Sequence, residues 1–191
     1  DLIRRGAHYA WYYIYRPVGP DPRPDLCLNA EQILELRRFM VDARSRFPIA
    51  ILDSYWDHLG RALCPAATGI AVHVNARGDV EPCPPVQFAC ENAAEPGALA
   101  PKINGSSFLR DFGALCTAKT RGCILMHDPA AALDFARRSG ARDTSGRDVF
   151  AELASMAPHP SHDLPGQDIP ETHWAYRFAK KQWFFGFGAY G

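Results

Sequence analysis

The sequence predicts an α/β chain that opens with a parallel β-α-β unit and continues into a smaller hairpin-and-helix region. Three observations carry that expectation. Residues 8–16 (HYAWYYIYR) and 49–54 (IAILDS) are short aromatic and β-branched runs, apolar on both faces, as strands buried from both sides are. Between them, residues 30–46 repeat apolar positions at helical spacing, and strand, helix and strand in that order lay down a parallel pair. After residue 54 the pattern turns to a β-hairpin and short helices.

The first strand ends at Pro17, where PVGPDPRP places four prolines in eight residues and forces an extended loop. On the strand, Tyr9, Trp11, Tyr13 and Tyr15 share one face, which reads as core. Asn29 is the expected N-cap of the helix, with Ile33, Leu36, Met40 and Ala43 inward and Glu31, Glu35, Arg37, Arg38 and Arg44 outward. Pro48 closes it. GIAVHVN (69–75), the turn Asn75-Ala76-Arg77-Gly78 and DVEPC then read as a hairpin with a cysteine on each flank. Residues 89–105 read as loop, and helices are expected at 106–115, at 129–139 behind the cap Asp128 and Pro129, and at 147–156. A second proline-rich loop, MAPHPSHDLPGQDIP, leads to a last helix opened by Pro170 and Glu171, with Trp174, Phe178 and Trp183 at helical intervals and Lys180 and Lys181 on its solvated side.

Composition narrows the function. The 191 residues are 47% hydrophobic, and 21 basic side chains balance 21 acidic ones. Such a chain has enough apolar material for a core but no electrostatic footprint for nucleic acid or an anionic membrane. No apolar run approaches the ~18 residues of a membrane span, and no leader resembles a signal peptide. The expected compartment is the reducing cytoplasm. There, the six cysteines more often bind metal or stay as buried thiols than pair as disulfides.

Their spacing favours a shared centre. Cys64 and Cys83 bracket the hairpin, with Gly78 five positions before Cys83, so folding the ribbon back brings both thiols together. Cys116 and Cys123 flank a short turn-like stretch containing AKTRG. Three or four thiolates converging in this way suit an iron–sulfur cluster or a tetrahedral zinc. The tight C-x₂₋₄-C knuckles usual in structural zinc sites are absent, which tilts the reading towards iron–sulfur. The plain alternative is a set of buried thiols without a ligand. Cys27 and Cys90 read as core or loop thiols, and His73, His159, His162 and His173 as packed or surface histidines.

The segment LCPAATGIAVHVNARGDVEPCPPVQF resembles the C-terminal auxiliary-cluster region, of SPASM or twitch type, of radical S-adenosylmethionine enzymes. In that family a cysteine, a β-hairpin and Gly-x₄-Cys follow in order, and Cys64, Gly78 and Cys83 match them; Cys123 in RGC resembles the later family cysteine. HYAWYYIYRPVGP, FLRDF, GARDTSGR and HWAYRFAKKQWFFGFGAY are similar to one subgroup of the family, so the resemblance spans nearly the whole chain. One departure stands out. The family's C-x₃-C-x₂-C motif, which holds the cluster that cleaves S-adenosylmethionine, does not occur in these residues.

The resemblance therefore implies the C-terminal half of a longer enzyme, and a start at Asp1 inside what reads as a helix end agrees with a fragment or a processed product. It implies that residues 1–60 are the last β/α units of a partial (β/α) barrel, 61–128 the cluster-binding domain and 129–191 a C-terminal helical segment. An auxiliary 4Fe–4S cluster would sit on Cys64, Cys83 and Cys123, with either Cys116 or substrate at the fourth iron. Arg16, Asp53 and Ser54, at the carboxyl ends of the two strands where α/β proteins gather ligand contacts, would hold parts of S-adenosylmethionine; a salt bridge from Arg16 to Asp53 is the alternative. The expected partners are the missing N-terminal half and a small-molecule or peptide substrate. Without the three-cysteine motif this chain alone should not cleave S-adenosylmethionine. The second reading is a non-catalytic, zinc-stapled interaction module with the aromatic tail as its docking surface.

Overall fold

A computed structural model describes residues 1–184, the side chains of 183 and 184 excepted. The expected aromatic tail begins at Pro170; its last part, residues 185–191, and the side chain of Trp183 lie outside the described residues. Strand β1 (Tyr9–Trp11) is joined through the proline loop to helix α1 (Ala30–Arg46), which leads to β2 (Ala50–Leu52). The two strands pair in parallel, with Tyr9 opposite Ala50 and Trp11 opposite Leu52. Helix α1 starts where the sequence asks it to. The Asn29 side chain accepts from the Gln32 N–H while the Gln32 side chain accepts from the Asn29 N–H, closing a capping box.

The β-α-β unit buries one face only. Ile33, Met40 and Ala43 of α1 pack on Ile14, Ile51, Tyr55 and Trp56, and each aliphatic side chain so buried contributes roughly 1.5–3 kcal/mol. The opposite face of β1, expected in the core, is open: Tyr9, Trp11 and Tyr13 are 63%, 47% and 68% exposed. Among the described residues the strands form three separate two-stranded sheets and no barrel, so no further strand extends this pair, and Trp11 and Tyr13 border a cavity.

A second core begins after residue 62. The hairpin β3 (His73–Val74) and β4 (Val80–Glu81) pairs antiparallel around a turn in which Gly78 has φ +84°, a value that only glycine adopts without strain. Strand β5 (Phe88–Ala89) follows, then helices α2 (Leu99–Gly105), α3 (Ser107–Lys119), α4 (Ile124–His127) and α5 (Pro129–Arg138), strand β6 (Arg142–Asp143) and helix α6 (Val149–Ser155). Helix α2 falls in the stretch expected to be loop. It buries no residue and has no side-chain cap, so the Ala, Pro and Gly composition that argued against it had no apolar face to outweigh it. The β5–β6 pairing was also not expected, because Phe88 and Asp143 are too far apart in sequence to form a hairpin. Phe88, Phe108, Phe112 and Phe135 stack edge-on and tilted at the centre of this core, which runs on to Val149 and Leu153.

The last segment crosses back to the first unit. It leads into helix α7 (Trp174–Ala179), which starts four residues later than Pro170, is capped by His173 and runs on into a π-helical stretch, Lys180–Phe184. Glu171 is not a helix opener. Together with Asp53 it is buried among Arg37, Arg44 and Lys180. Arg37 donates to Glu171 Oε1 at 2.8 Å, Arg44 pairs with both carboxylates, and Lys180 donates to Asp53 Oδ2 at 3.0 Å. Arg37, Arg44 and Lys180 were expected in solvent. They instead share a buried ionic cluster whose carboxylates offset the cost of burying three cations.

Candidate thiolate site

Four of the six cysteines come together where the two cores meet. Cys64 lies just after Leu63 at the start of a turn, Cys83 follows β4, Cys116 lies on the inner face of α3, and Cys123 is the N-cap of α4. They are close enough for each to feel the others' charge. Burial pushes the thiols of Cys64, Cys83 and Cys116 above their ordinary pKa, and neighbouring thiols add to it: Cys123 for Cys64, Cys64 and Cys123 for Cys83, and all three for Cys116. Cys27 and Cys90 take no part; Cys90 donates to the Ser139 carbonyl.

Local donors act on three of these cysteines. The backbone N–H groups of Ala66 and Ala67 pull the Cys64 pKa back down against the larger effect of burial, and that of Val86, which bonds the Cys83 carbonyl at 2.9 Å, does the same for Cys83. In both places proline follows the cysteine, Cys64-Pro65 and Cys83-Pro84, and starts the turn that carries those amides. At Cys123 the donor is a side chain. Arg16 Nε–H donates to Cys123 Sγ at 3.2 Å. A neutral thiol is a weak acceptor, whereas a thiolate, free or bound to metal, accepts such bonds well. Burial opposes the deprotonated form of Cys64, Cys83 and Cys116, and the nearby amides only partly offset it at the first two.

Arg16 is held firmly. Its Nη1 donates to the Ile14 carbonyl at 3.1 Å and to the Tyr55 hydroxyl at 3.2 Å, and the guanidinium lies 5.2 Å from the Tyr55 ring centre. Burial works against its charge, yet Cys123 and Tyr55 keep its pKa above the ordinary arginine value. The alternative of a salt bridge to Asp53 is not formed: Arg16 bonds to Cys123, Ile14 and Tyr55 instead. Asp53, also expected to touch cofactor, is fully enclosed in the ionic cluster, where Lys180, Arg44 and Arg37 outweigh burial and hold its carboxyl far below the usual range. Of the three rim residues, Arg16 and Ser54 face the cavity and Asp53 does not. The strands end at one rim as expected, but the side chain of Asp53 turns inward to meet α1.

In front of the sulfurs lies a cavity of about 500 Å³, lined by Cys64, Cys83 and Cys123 together with Arg16, Ser54, Tyr55, Trp11, Tyr13 and His162. Cys116 sits behind them in the core. His162 was expected to be merely packed. It is buried against Tyr55 and Trp56, and its Nε2 faces the Leu63 carbonyl at 3.1 Å, so Nε2 carries the proton. Burial first, then the charge of Arg16, push its pKa down to about 4, and the ring is neutral at pH 7. Tyr55, which anchors Arg16, was missed in the sequence. Its position two residues past Asp53, on the same strand rim, was the available signal. His73 is paired with Glu81 at 2.7 Å.

Among the described residues no group of three or more His, Cys, Asp or Glu side chains is placed to hold one metal ion. A tetrahedral zinc at ~2.3 Å from each sulfur draws its thiolates nearly into contact. The four thiols lie within mutual electrostatic range without being gathered on one point. No family model, curated protein or solved structure matches the chain.

Proposed function

We propose that this chain binds an auxiliary 4Fe–4S cluster through Cys64, Cys83 and Cys123, as the C-terminal part of a radical S-adenosylmethionine enzyme acting on a small-molecule or peptide substrate. One observation carries the reading. Three cysteines line a single cavity, and Arg16, pinned by the Ile14 carbonyl and the Tyr55 hydroxyl, donates to the sulfur of one of them. Such bonds, burial and a dry apolar wall are the levers by which a protein stabilises a cluster and sets its potential. When bound, the cluster would supply one-electron chemistry or an iron site for substrate. The chain's own residues would fix the three sulfurs, keep water off them, and leave the cavity as the approach to the fourth iron unless Cys116 occupies it.

The missing partner of this reading is an N-terminal half carrying C-x₃-C-x₂-C. The uncovered aromatic face of β1 supports it, because parallel sheets are ordinarily covered on both faces. Asp53 is not carried forward as a cofactor contact. The test is anaerobic reconstitution with ferrous iron and sulfide. The expected result is brown protein whose visible absorbance is lost in Cys64→Ala, Cys83→Ala and Cys123→Ala. Cys116→Ala decides the fourth ligand: loss of absorbance assigns it to Cys116, and retention leaves that iron open. Colourless wild-type protein overturns the reading, and stoichiometric zinc in its place would favour the interaction module.

A further inference from the structure

The proposed cluster site has one charged donor, and its geometry is unlike that of the backbone donors. Arg16 reaches across from the β-α-β unit to a cysteine 107 positions later, Nε to Cys123 Sγ at 3.2 Å. It is pinned from two other sides by the Ile14 carbonyl and the Tyr55 hydroxyl. The carbonyl and the phenol hold the guanidinium plane, so its third arm cannot swing away from the sulfur. Among the described residues no carboxylate, and no other Lys or Arg, lines the cavity; its two histidines are His73, paired with Glu81, and His162, neutral at pH 7. The charge of Arg16 bears most directly on Cys123, to which it is bonded.

Resting on the iron–sulfur reading, we propose that Arg16 is the residue that sets how readily this centre accepts an electron. A fixed cation bonded to a ligand sulfur stabilises the more negative, reduced cluster over the oxidised one. Low surrounding polarity makes that preference larger than it would be in water. The step concerned is the gain of one electron by the cluster from an external low-potential donor, here dithionite, with no bond made or broken. Arg16 is a positioning residue in this step, since it acts through Cys123. Tyr55 belongs to the same device, because its hydroxyl and ring fix where the charge sits.

The experiment is a mediated dithionite titration of the reconstituted protein, read by electron paramagnetic resonance of the reduced cluster. Wild type is compared with Arg16→Gln and Arg16→Lys, each at measured iron content. Arg16→Gln removes the charge and should make reduction at least about tenfold less favourable, a midpoint ~59 mV more negative for one electron. Arg16→Lys keeps the charge without the rigid fork and should fall between the two, which preserves the test where the glutamine variant does not load. Loaded variants with the wild-type midpoint overturn the role of Arg16 while leaving the cluster in place. A wild-type protein that takes up no iron overturns the underlying reading instead.

Discussion

Arg16 and His162 show what one side chain contributes at the boundary between the two cores. Arg16 keeps its charge although buried, because Cys123 and Tyr55 receive its donors. His162 gives up its charge because it sits beside that cation and deep in the fold. The consequence is measurable. With a folded pKa of about 4 against an ordinary 6.5, the unfolded chain binds the extra proton first as pH falls. The stability tied to neutral His162 is thus complete above pH 6.5, and it is lost as the pH drops through the window towards 4. The loss is on the order of 3 kcal/mol. Urea unfolding at pH 7 and at pH 4.5 should show it, and His162→Gln should flatten the slope across that window. An unchanged slope in the variant assigns the acid sensitivity elsewhere.

At the level of elements, the thiols are delivered by turns that tolerate no added bulk. A Cβ on Gly122 would lie 2.3 Å from Ser161 Oγ and 2.9 Å from Asp163 Cβ, so the turn before Cys123 is pressed against the returning segment. Gly122→Ala must displace that turn, and it should cut the iron taken up on reconstitution several-fold. Gly105→Ala, whose Cβ meets nothing within 4 Å, should leave uptake unchanged. Equal uptake in both variants would mean that the turn does not position Cys123. The Asn29 cap, the Gly78 turn and the Asp128–Pro129 helix start were legible because each depends on a few adjacent residues. Arg37 and Arg44 were not read correctly, although spacing placed them on the inner stripe: positions 33, 37, 40 and 44 recur at helical intervals on one face. Their charge argued for solvent, and the compensating carboxylates, Asp53 and Glu171, lie in distant segments. The same limit hid Arg16, whose partner is 107 positions away, and the exposure of Tyr9, Trp11 and Tyr13, which depends on what does not cover the strand.

Across the molecule, two apolar cores meet along one seam, and the seam holds the sulfurs. The first core spans β1, α1 and β2 and is closed by the returning segment that brings Glu171 and Lys180 to Asp53. The second runs from Ala66 to Leu153. The expected divisions fell at residues 60 and 128; the change of core lies between Trp56 and Ala66, residues 129–155 pack with the hairpin region, and the segment from Leu164 returns to the first unit. All four cysteines pack with the second core, and Arg16 reaches across to them from the first unit through its bond to Cys123. The most direct measurement is paired iron and acid-labile sulfide analysis of anaerobically reconstituted protein, alongside the three single cysteine-to-alanine variants at 64, 83 and 123. The account predicts roughly four of each per chain in the wild type and a collapse of both in every variant. Iron and sulfide near zero in the wild type, or unchanged when any of the three sulfurs is removed, would contradict it.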